Sequence, residues 1–574
     1  MQRVDFTFLV GGEAGAGVML TGRVASKALV RGGYWVFARN EYPSLIRGGH
    51  NWFLARVCDR EVRSQRLPID VIIALDEATV RKHAYNLSKR GLIITEDAPE
   101  GGKERVVKIP MARVAKEEGA PPVAKNMVAL GAFLGILGYS PDLMTSTIRD
   151  ELSRRGAKVA ELNARLALKG YEYGKEHEGA LGFTLKPLRS ADNLFLTGND
   201  AIALGALAAG MRFYAAYPMT PASPILHFLA AVEDEAEVVV LQPESEIAAI
   251  NMVIGAAYAG ARAMTATSGG GFSLMVEALG QAGMTETPIV VVEVQRPGPS
   301  TGLPTFTAQG DLRFVIHASQ GEFPRFVIAP GDHEESFYLA AEAFNLAERY
   351  QVPVVILSDK YLGESYGTVA PFNASAAAID RGKLVEEPQQ GDYKRYLLTE
   401  DGISYRALPG TEGAIVRVNS SEHDEEGFGS NDPVIVRAMV EKRLRKLELM
   451  RREVESREDS VKVYGDWEPK VTLIVWGSVK GPALEAMGEL KERGVKAALV
   501  QVVFLEPFPA GRLRKTLDAL ARPYLLVENN SLAQLGSLLK EHLCLKPDDI
   551  LLKYDGRPFD PHEIASKALE VARR

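Results

Sequence analysis

The chain has 574 residues, 46% hydrophobic and 25% charged, with 67 Lys and Arg against 74 Asp and Glu. This composition is that of a globular protein and excludes collagen-like, long disordered and coiled-coil chains, while the length predicts three or four domains. The formal net charge of −7 offers no bulk basic surface for nucleic acid or anionic lipid.

The chain contains two cysteines, Cys58 and Cys544. A cubane iron–sulfur cluster needs about four thiolates, so we expect no such cluster and no metal centre in this chain. Any single-electron chemistry would then depend on another polypeptide. The N-terminal residues show no signal-peptide pattern, and no stretch reaches the ~18 uncharged apolar residues of a membrane span. We therefore expect a cytoplasmic, reduced protein with no membrane association.

The first block, residues 1–185, alternates predicted strands and helices. An apolar strand at 4–10 runs into GGEAGAGV, a helix follows at Met19–Val30, and further strands are predicted at 51–57, 71–75 and 91–95. The glycine-rich turn fits either a phosphate cradle or a tight strand-to-helix turn. The segment 41–51 is similarly open: Arg47 beside Gly48 and Gly49 is suited to a phosphate or to an ordinary exposed turn.

The second block, residues 190–365, has the strand–helix rhythm of a parallel sheet, with predicted strands at 238–242, 261–267, 288–294, 326–330 and 352–358. Residues 366–465 form a polar region that ends in a charged helix over 434–456, whose charged side we expect to face solvent. A third block, 466–574, has predicted strands at 471–478, 497–505 and 523–529. The fold class predicted is α/β with several parallel-sheet domains.

Three loops of the second block hold candidate site residues. The first, YAAYPMTPASPI at 214–225, fixes Thr220 between prolines, although a Pro-rich connector with a capping threonine would look the same. The second places Glu244 and Glu246 before an almost uncharged helix, where acids are ordinary dipole partners but costly to bury without a role. The third puts Arg296 after an apolar strand, well placed to bind a carboxylate.

These motifs together resemble a known family. YPMTP at 217–221, the acid-led helix at 242–263, TSGGGFSLM at 267–275 and QRPGPSTGLPT at 295–305 look like the α subunit of 2-oxoacid:ferredoxin oxidoreductases. The N-terminal block is similar to the γ subunit of that family, fused ahead of α. The resemblance implies a Rossmann-like γ domain on the coenzyme A side, a thiamine diphosphate-binding pyrimidine domain and a transketolase C-terminal-like domain.

The resemblance also implies an activity, the oxidative decarboxylation of a 2-oxo acid with coenzyme A to acyl-CoA and CO2, with electrons passed to ferredoxin. It places Glu246, rather than Glu244, against the pyrimidine ring of thiamine diphosphate, and Arg296 against the substrate carboxylate. Thr220 would lie near the substrate's carboxylate and keto group. Pro218 and Gly270, from the same motifs, would border the cofactor.

In the γ-like block, the resemblance places coenzyme A contacts at Arg47, Gly48, Gly49 and Asn126. The diphosphate signature GDG is absent from the chain. The resemblance therefore implies that a β subunit supplies the diphosphate site, Mg2+ and the [4Fe-4S] cluster, in an αβ or (αβ)2 assembly that reduces ferredoxin.

Alternatives remain open at this stage. The chain could be a non-catalytic assembly protein that retains the thiamine-type fold, and an NAD-dependent dehydrogenase built on GGEAGAGV is the weakest candidate. The substrate is expected to be 2-oxoglutarate or a broad range of 2-oxo acids, with the pyruvate-specific branch as the alternative. A second substrate carboxylate would need a second basic group, for which the sequence offers Arg313 and Arg262.

Overall fold

The computed structural model describes residues 3–44, 48–97, 105–189, 191–385, 387 and 393–574. The predicted coenzyme A residue Arg47 lies outside these described residues. The chain divides into two compact units, the first formed by Met1–Leu196 with Ser365–Pro371 and the second by Thr197–Glu364 with Phe372–Arg574.

The strands β1–β20 are, in chain order, Asp5–Glu13, Trp35–Glu41, His50–Cys58, Ile69–Ala74, Leu87–Thr95, Val106–Lys108, Leu194–Thr197, Met211–Ala215, Val239–Leu241, Arg262–Thr267, Val290–Gln295, Phe326–Ile328, Val354–Asp359, Tyr366–Val369, Val461–Gly465, Val471–Trp476, Ala497–Val502, Phe504–Glu506, Tyr524–Glu528 and Asp549–Leu552.

The helices α1–α19 are Val18–Arg31, Glu77–His83, Met111–Glu117, Lys125–Ile136, Pro141–Leu152, Ala157–Lys175, Gly198–Ala208, Ser223–Ala231, Glu233–Ala236, Glu246–Tyr258, Gly269–Met284, Leu312–Ile316, His333–Tyr350, Lys360–Glu364, Pro433–Ser456, Lys480–Glu492, Ala510–Asp518, Gln534–Leu543 and Pro561–Ala572. The α/β fold class predicted from the sequence is confirmed.

The first unit is built on an eight-stranded sheet in the order β6-β5-β4-β1-β3-β2-β14-β7. Strands β6, β5, β4 and β1 are parallel, but β3 pairs antiparallel with both β1 and β2, and β14 pairs antiparallel with β2. The sheet is therefore mixed rather than fully parallel. The strand β2 escaped prediction because Arg39 and Asn40 interrupt its apolar pattern.

Helix α4 of the first unit is almost completely buried, from Asn126 to Ile136. It packs against α6 at unusually short range: a Cβ added to Gly131 would lie 1.8 Å from the carbonyl oxygen of Ala167, so only glycine fits there. This close contact fixes α4 and, with it, the position of Asn126 at the start of the helix.

The second unit contains two sheets. The larger has seven strands in the order β18-β12-β13-β11-β10-β8-β9, all parallel except the edge strand β18. Because the strands are parallel, the carboxyl ends of β8 to β13 lie along one edge of the sheet. In α/β proteins ligands bind at this edge, where the connecting loops diverge.

The smaller sheet has five strands in the order β15-β17-β16-β19-β20, parallel except for β15. The sequence predicts a single strand over 497–505, but the structure divides this segment. Residues Ala497–Val502 form β17 in the smaller sheet, whereas Phe504–Glu506 form β18 at the edge of the larger sheet. The two sheets of the second unit are thus joined by an almost continuous extended segment.

Helix α15 departs from the sequence prediction in one respect. Its charged side was expected to face solvent, yet Lys442, Arg443 and Lys446 are buried. Both lysines pair with Glu286, which lies in the turn after α11 and is itself 1% exposed. Glu286 is more than 150 residues from both lysines in the sequence, so no local sequence pattern predicts this contact.

Helices of membrane-spanning length and hydropathy are not found in the described part of the chain. Within the same residues, no three His, Cys, Asp or Glu side chains come together in a way that could hold a metal ion. Cys58 is buried and Cys544 exposed, and neither forms a disulfide.

Candidate functional site

The loop between β8 and α8 carries the YPMTP motif to the carboxyl edge of the larger sheet. The amide Nδ2 of Asn199, at the start of α7, donates to the carbonyl of Pro221 at 2.9 Å and fixes the end of the loop. The Thr267 hydroxyl at the end of β10 lies 3.7 Å from the sulfur of Met219. Thr220 and Pro218 are half-buried, so the loop faces the edge of the sheet without being closed off from it.

Glu246 is the first residue of α10 and is only 5% exposed, whereas Glu244 is exposed. Ser245 caps the helix by accepting a hydrogen bond from the amide of Ala248. The Glu246 carboxylate lies beside the TSGGG turn: a Cβ added to Gly271 would be 2.7 Å from its Oε1 and 2.1 Å from the Thr267 hydroxyl. A glycine at 271 is therefore required for the turn to approach the acid.

Gly270, the neighbouring residue, is exposed, and a Cβ placed there would touch only the methyl group of Met219, at 3.7 Å. Space is thus left open at Gly270, the residue before the glycine that faces Glu246. An open turn beside a buried acid suits a ligand that hydrogen-bonds to the acid.

Arg296 joins the third loop to the first. It follows β11, is half-buried, and its Nη1 donates to the carbonyl oxygen of Thr220 at 2.7 Å. A guanidinium has five donors, so this one contact leaves others available to a carboxylate. The three sequence-predicted residues Glu246, Thr220 and Arg296 therefore all lie at one edge of one sheet.

Behind Arg296 lies a group of buried acids that the sequence analysis did not single out. Glu293, in β11, is 0% exposed, and neither of its carboxylate oxygens has a hydrogen-bond partner among the described residues. Burial raises the pKa of Glu293 well above its ordinary value, and the nearby Asp311 and Asp359 add to this shift while Arg296 opposes it. Burial also raises the pKa of Asp311 to about 6 and that of Asp359 above its usual range.

Other buried polar atoms, in or next to the strands and loops that end at this edge, also lack partners within the described ranges. They are the hydroxyls of Thr265, Ser268, Thr305 and Ser358 and the Oδ1 of Asn199. Buried polar groups in folded proteins are nearly always hydrogen-bonded, so a concentration of exceptions indicates a place where a ligand or water completes the bonding. This observation fits a bound organic cofactor and substrate.

The loop that follows Arg296 is tied to the smaller sheet by Gln309. Its side chain is fully buried, donates to the Trp476 carbonyl at 2.9 Å and accepts from the Asn529 amide at 3.0 Å. Its backbone amide donates to the Asn529 carbonyl at 2.7 Å. Gln534 adds hydrogen bonds to the Gly310 carbonyl and the Arg313 amide. The C-terminal block thus holds the loop that carries the site residues.

A second candidate site lies in the first unit, in a cleft of about 390 Å3 beside the glycine-rich turn. Gly17 and Asn126 line it, and the Asn126 amide Nδ2 donates to the Gly17 carbonyl at 3.3 Å. The predicted Gly49 is also close, since its carbonyl accepts from the Ala14 amide at 3.1 Å. Gly48 precedes it, with open space at its Cα.

The two arginines predicted as candidates for binding a second substrate carboxylate both contact acidic residues of the chain. Arg262 begins β10, at the end of the strand opposite the site, and is buried in bonds to Glu348, Asn345 and two carbonyls. Arg262 is therefore a structural residue. Arg313 is partly exposed and lies 3.4 Å from Glu541.

Several site residues were missed by the sequence analysis. Glu293 had a usable signal, because a lone acid in an apolar strand, VVVEV, must be either paired or functional. Asp311 and Thr305 gave none, since both stand in a polar loop. In the first unit, Arg155 and Asn163 line the cleft from the region around α6, far from the glycine motif in sequence.

Fold and site together define an α/β enzyme subunit with a cofactor-type site at the carboxyl edge of a parallel sheet. Residues 204–442 match the family described as pyruvate flavodoxin/ferredoxin oxidoreductase, thiamine diphosphate-binding, and residues 7–173 match pyruvate ferredoxin/flavodoxin oxidoreductase. The chain is 35% identical to the alpha subunit of 2-oxoacid:ferredoxin oxidoreductase 2 of Aeropyrum pernix, over 99% of this chain and 98% of that one.

A shorter relative is the 2-oxoglutarate synthase subunit KorA of Methanocaldococcus jannaschii, 32% identical over 65% of this chain and 99% of its own. Among solved structures, 2-oxoglutarate:ferredoxin oxidoreductase from Magnetococcus marinus, with 2-oxoglutarate, coenzyme A and succinyl-CoA bound, matches with a TM-score of 0.90 and 32% identity over 100% of both chains. The chain belongs to the alpha subunits of the 2-oxoacid:ferredoxin oxidoreductases. The family and the oxidoreductase class predicted from the sequence are confirmed.

Proposed function

We propose that the chain binds thiamine diphosphate through Glu246 and catalyses, with a β subunit, the oxidative decarboxylation of a 2-oxo acid to its acyl-CoA. The observation that carries this proposal is a buried carboxylate at the start of an otherwise uncharged helix, beside a glycine turn with open space at Gly270. The cofactor, when bound, supplies the carbon nucleophile that adds to the keto group. Glu246 would hold the proton shared with the pyrimidine ring, and Pro218 and Gly270 would border that ring.

Arg296 would pair with the substrate carboxylate while Thr220 lies beside the keto group. The hydrogen bond from Arg296 to the Thr220 carbonyl supports this pairing, because it fixes the two residues relative to each other. We propose 2-oxoglutarate as the first substrate to test, since the similar Magnetococcus marinus enzyme was solved with it. Pyruvate, which has a single carboxylate, is the alternative. The structural role of Arg262 favours it, because Arg262 is then not available to bind a second carboxylate.

Coenzyme A would bind in the cleft of the first unit. The cleft combines amide groups, from Asn51, Asn126 and Asn163, with the cationic Arg155. This set suits a ligand with phosphate and amide groups. Gly48 and Gly49 would border the ligand, as would Arg47, and the similar Magnetococcus marinus enzyme was solved with coenzyme A.

A β subunit would complete the site. Apolar side chains on β9, α10, α11 and the YPMTP loop are 40–51% exposed: Tyr217, Leu241, Ile247, Met252 and Leu274. Exposed apolar side chains on the elements that carry a half-built site are what a subunit interface would cover. The β chain would contribute the diphosphate site, Mg2+ and the [4Fe-4S] cluster, pass electrons to ferredoxin, and form an αβ or (αβ)2 complex.

Reconstitution with a β subunit tests whether both chains are needed for activity. The purified chain alone is expected to show neither iron–sulfur absorbance nor turnover, and addition of the β subunit should restore both. Turnover by the isolated chain would contradict the proposal. Calorimetry with thiamine diphosphate in the presence of the β chain separates the enzyme from a non-catalytic assembly protein, which would bind no cofactor.

The role of Glu246 is tested in the reconstituted complex with Glu246→Gln, using Glu244→Gln as the matched control. We expect exchange of the C2 proton of thiamine diphosphate to slow by about 10²–10⁴-fold in the first variant, because the acid can no longer share the ring proton. The control, exposed and two residues away, should exchange at the wild-type rate. The opposite pattern would assign the role to Glu244.

A further inference from the structure

Glu293 has no role in the proposed function. Glu293 is three residues before Arg296, on the strand that leads to it. Its side chain is completely buried and both carboxylate oxygens lack hydrogen-bond partners within the described ranges. An isolated buried carboxylate is so costly that such a group keeps its proton.

The charged neighbours of Glu293 come from three places. Asp311 belongs to the loop after β11, Asp359 ends β13, and Arg296 follows β11 itself. The facing residue of β10 is Thr267, which is uncharged, and the turn after it consists of glycines. Glu246 approaches that turn from α10.

The bonding of the two aspartates differs. Asp359 accepts hydrogen bonds from the Thr307 hydroxyl and the Leu362 amide. Asp311 has Arg296 as the charged group that opposes the raised pKa of its carboxyl. If all three acids were ionised, three negative charges would face the single positive charge of Arg296, and the pocket would repel a carboxylate substrate.

We propose that Glu293 is a positioning residue for Arg296: its uncharged carboxyl leaves the guanidinium free to bind the carboxylate of a 2-oxo acid, and loss of its proton weakens that binding. This inference rests on the proposed role of Arg296 in the substrate site. Proton and substrate binding are then linked. Anion binding favours protonated acids, so the complex takes up protons when the 2-oxo acid binds.

The sign of the pH effect follows from this linkage. Burial raises the pKa of Asp311 to about 6 and that of Glu293 well above its ordinary value, and both acids lose their protons as the pH rises. The KM for the 2-oxo acid should therefore rise with pH above about 6. If one proton is taken up for each substrate bound, KM rises about tenfold for each pH unit.

The kinetic test compares the wild-type complex with Glu293→Gln and Glu293→Asp. Glutamine mimics the uncharged acid, so kcat should stay within about threefold and the rise of KM with pH should become shallower. Aspartate can still ionise and should restore the steeper rise. Loss of kcat in Glu293→Gln at every pH, with KM unchanged, would show that Glu293 acts in the chemical step and would overturn the proposal. A wild-type KM independent of pH would also overturn it.

Infrared difference spectroscopy provides a readout that needs no turnover. The spectrum of the wild-type chain minus that of Glu293→Gln at neutral pH should show the carbonyl stretch of a protonated carboxylic acid. Absence of this band would refute an uncharged Glu293, whatever the substrate. If the band is present but Arg296→Lys leaves KM unchanged, the proposed substrate role of Arg296 fails instead, and the inference that rests on it fails too.

Discussion

Two buried glutamates of the second unit, Glu286 and Glu293, lie in opposite surroundings although they are close in sequence. Glu286 accepts from the Lys442 ammonium at 2.6 and 2.9 Å and also pairs with Lys446. These cations hold the pKa of Glu286 far below its usual range, despite the opposing effect of burial. Glu293 has no such partners among the residues described, and its pKa is raised.

Glu286 is a structural acid, whereas Glu293 is available for the functional role that we propose. Around Glu286 the cluster is fully bonded: Arg395 donates to the Glu286 carbonyl and to Gln351, and burial lowers the pKa of Lys446 to about 7, which limits the excess positive charge. It fastens α15 and the polar segment before it to the body of the unit. Around Glu293 the bonding is left incomplete, as expected where a ligand completes it.

The largest effect is expected from breaking the bonded cluster. Glu286→Gln removes the negative charge and leaves two buried lysines unpaired, so the free energy of unfolding should fall by about 3–5 kcal/mol. Urea unfolding followed by tryptophan fluorescence measures this change. Glu448→Gln, on an exposed ion pair of the same helix, is the control and should cost about 0.5 kcal/mol or less. A Glu286→Gln variant as stable as wild type would remove the contrast between the two glutamates.

A smaller effect is expected at the incomplete site from Arg296→Lys. Lysine keeps the charge but loses the planar fork, so the kcat/KM for the 2-oxo acid should fall by about 10- to 100-fold, mainly through KM. Steady-state kinetics of the reconstituted complex measure this change. Arg313→Lys, which alters a partly exposed arginine beside Glu541, should leave KM within about twofold. Equal losses in both variants would mean that the site does not depend on Arg296 in particular.

Gln309 provides an intermediate case, a fully bonded group that supports the incomplete site. Gln309→Leu leaves the Trp476 carbonyl and the Asn529 amide without partners and should cost about 1–3 kcal/mol of stability. It should also raise KM, because the loop after Arg296 loses its anchor. Gln320→Leu at an exposed position should change stability by less than about 0.5 kcal/mol. A change of KM without a loss of stability would show that Gln309 acts on the loop alone.

The smallest effect is expected from Glu293→Gln on stability. Near about pH 4, where the acid is largely uncharged in the folded and in the unfolded chain, glutamine replaces one uncharged group with another, so the free energy of unfolding should change by about 1 kcal/mol or less. A raised pKa gives stability that is complete below the unfolded value and is lost as pH rises through the folded value. Wild-type stability should therefore decline with increasing pH above about 4, and the decline should be smaller in the variant. A loss as large as that of Glu286→Gln would contradict an uncharged Glu293.

Much of the fold was accessible from the sequence because buried parallel strands are continuous apolar runs. The strands at 261–267, 288–294 and 352–358 and the helix after Ser245 occur close to their predicted bounds. Patterns failed where a contact is distant. The burial of Lys442 depends on Glu286, and a charged helix face is indistinguishable from a solvated one until its partner is known.

The candidate site was predictable in part for a similar reason. Glu246, Thr220 and Arg296 stand in short motifs at strand ends, and the structure brings them to one edge. Their roles toward ligands remain predictions. Asp311 and Asn529 could not be found, because their importance lies in what they face across the fold. Sequence alone also could not show that 497–505 belongs to two sheets.

That divided segment limits how the protein can be dissected. Because β18 follows β17 after one residue and forms the edge of the other sheet, the C-terminal block cannot be removed as a module. A chain cut between α15 and β15 would lose β18, so β12 would become an unpaired edge strand and the apolar residues beneath it would be exposed. Such an edge promotes aggregation. Genetic fission of the second unit should succeed only if the two fragments are produced together.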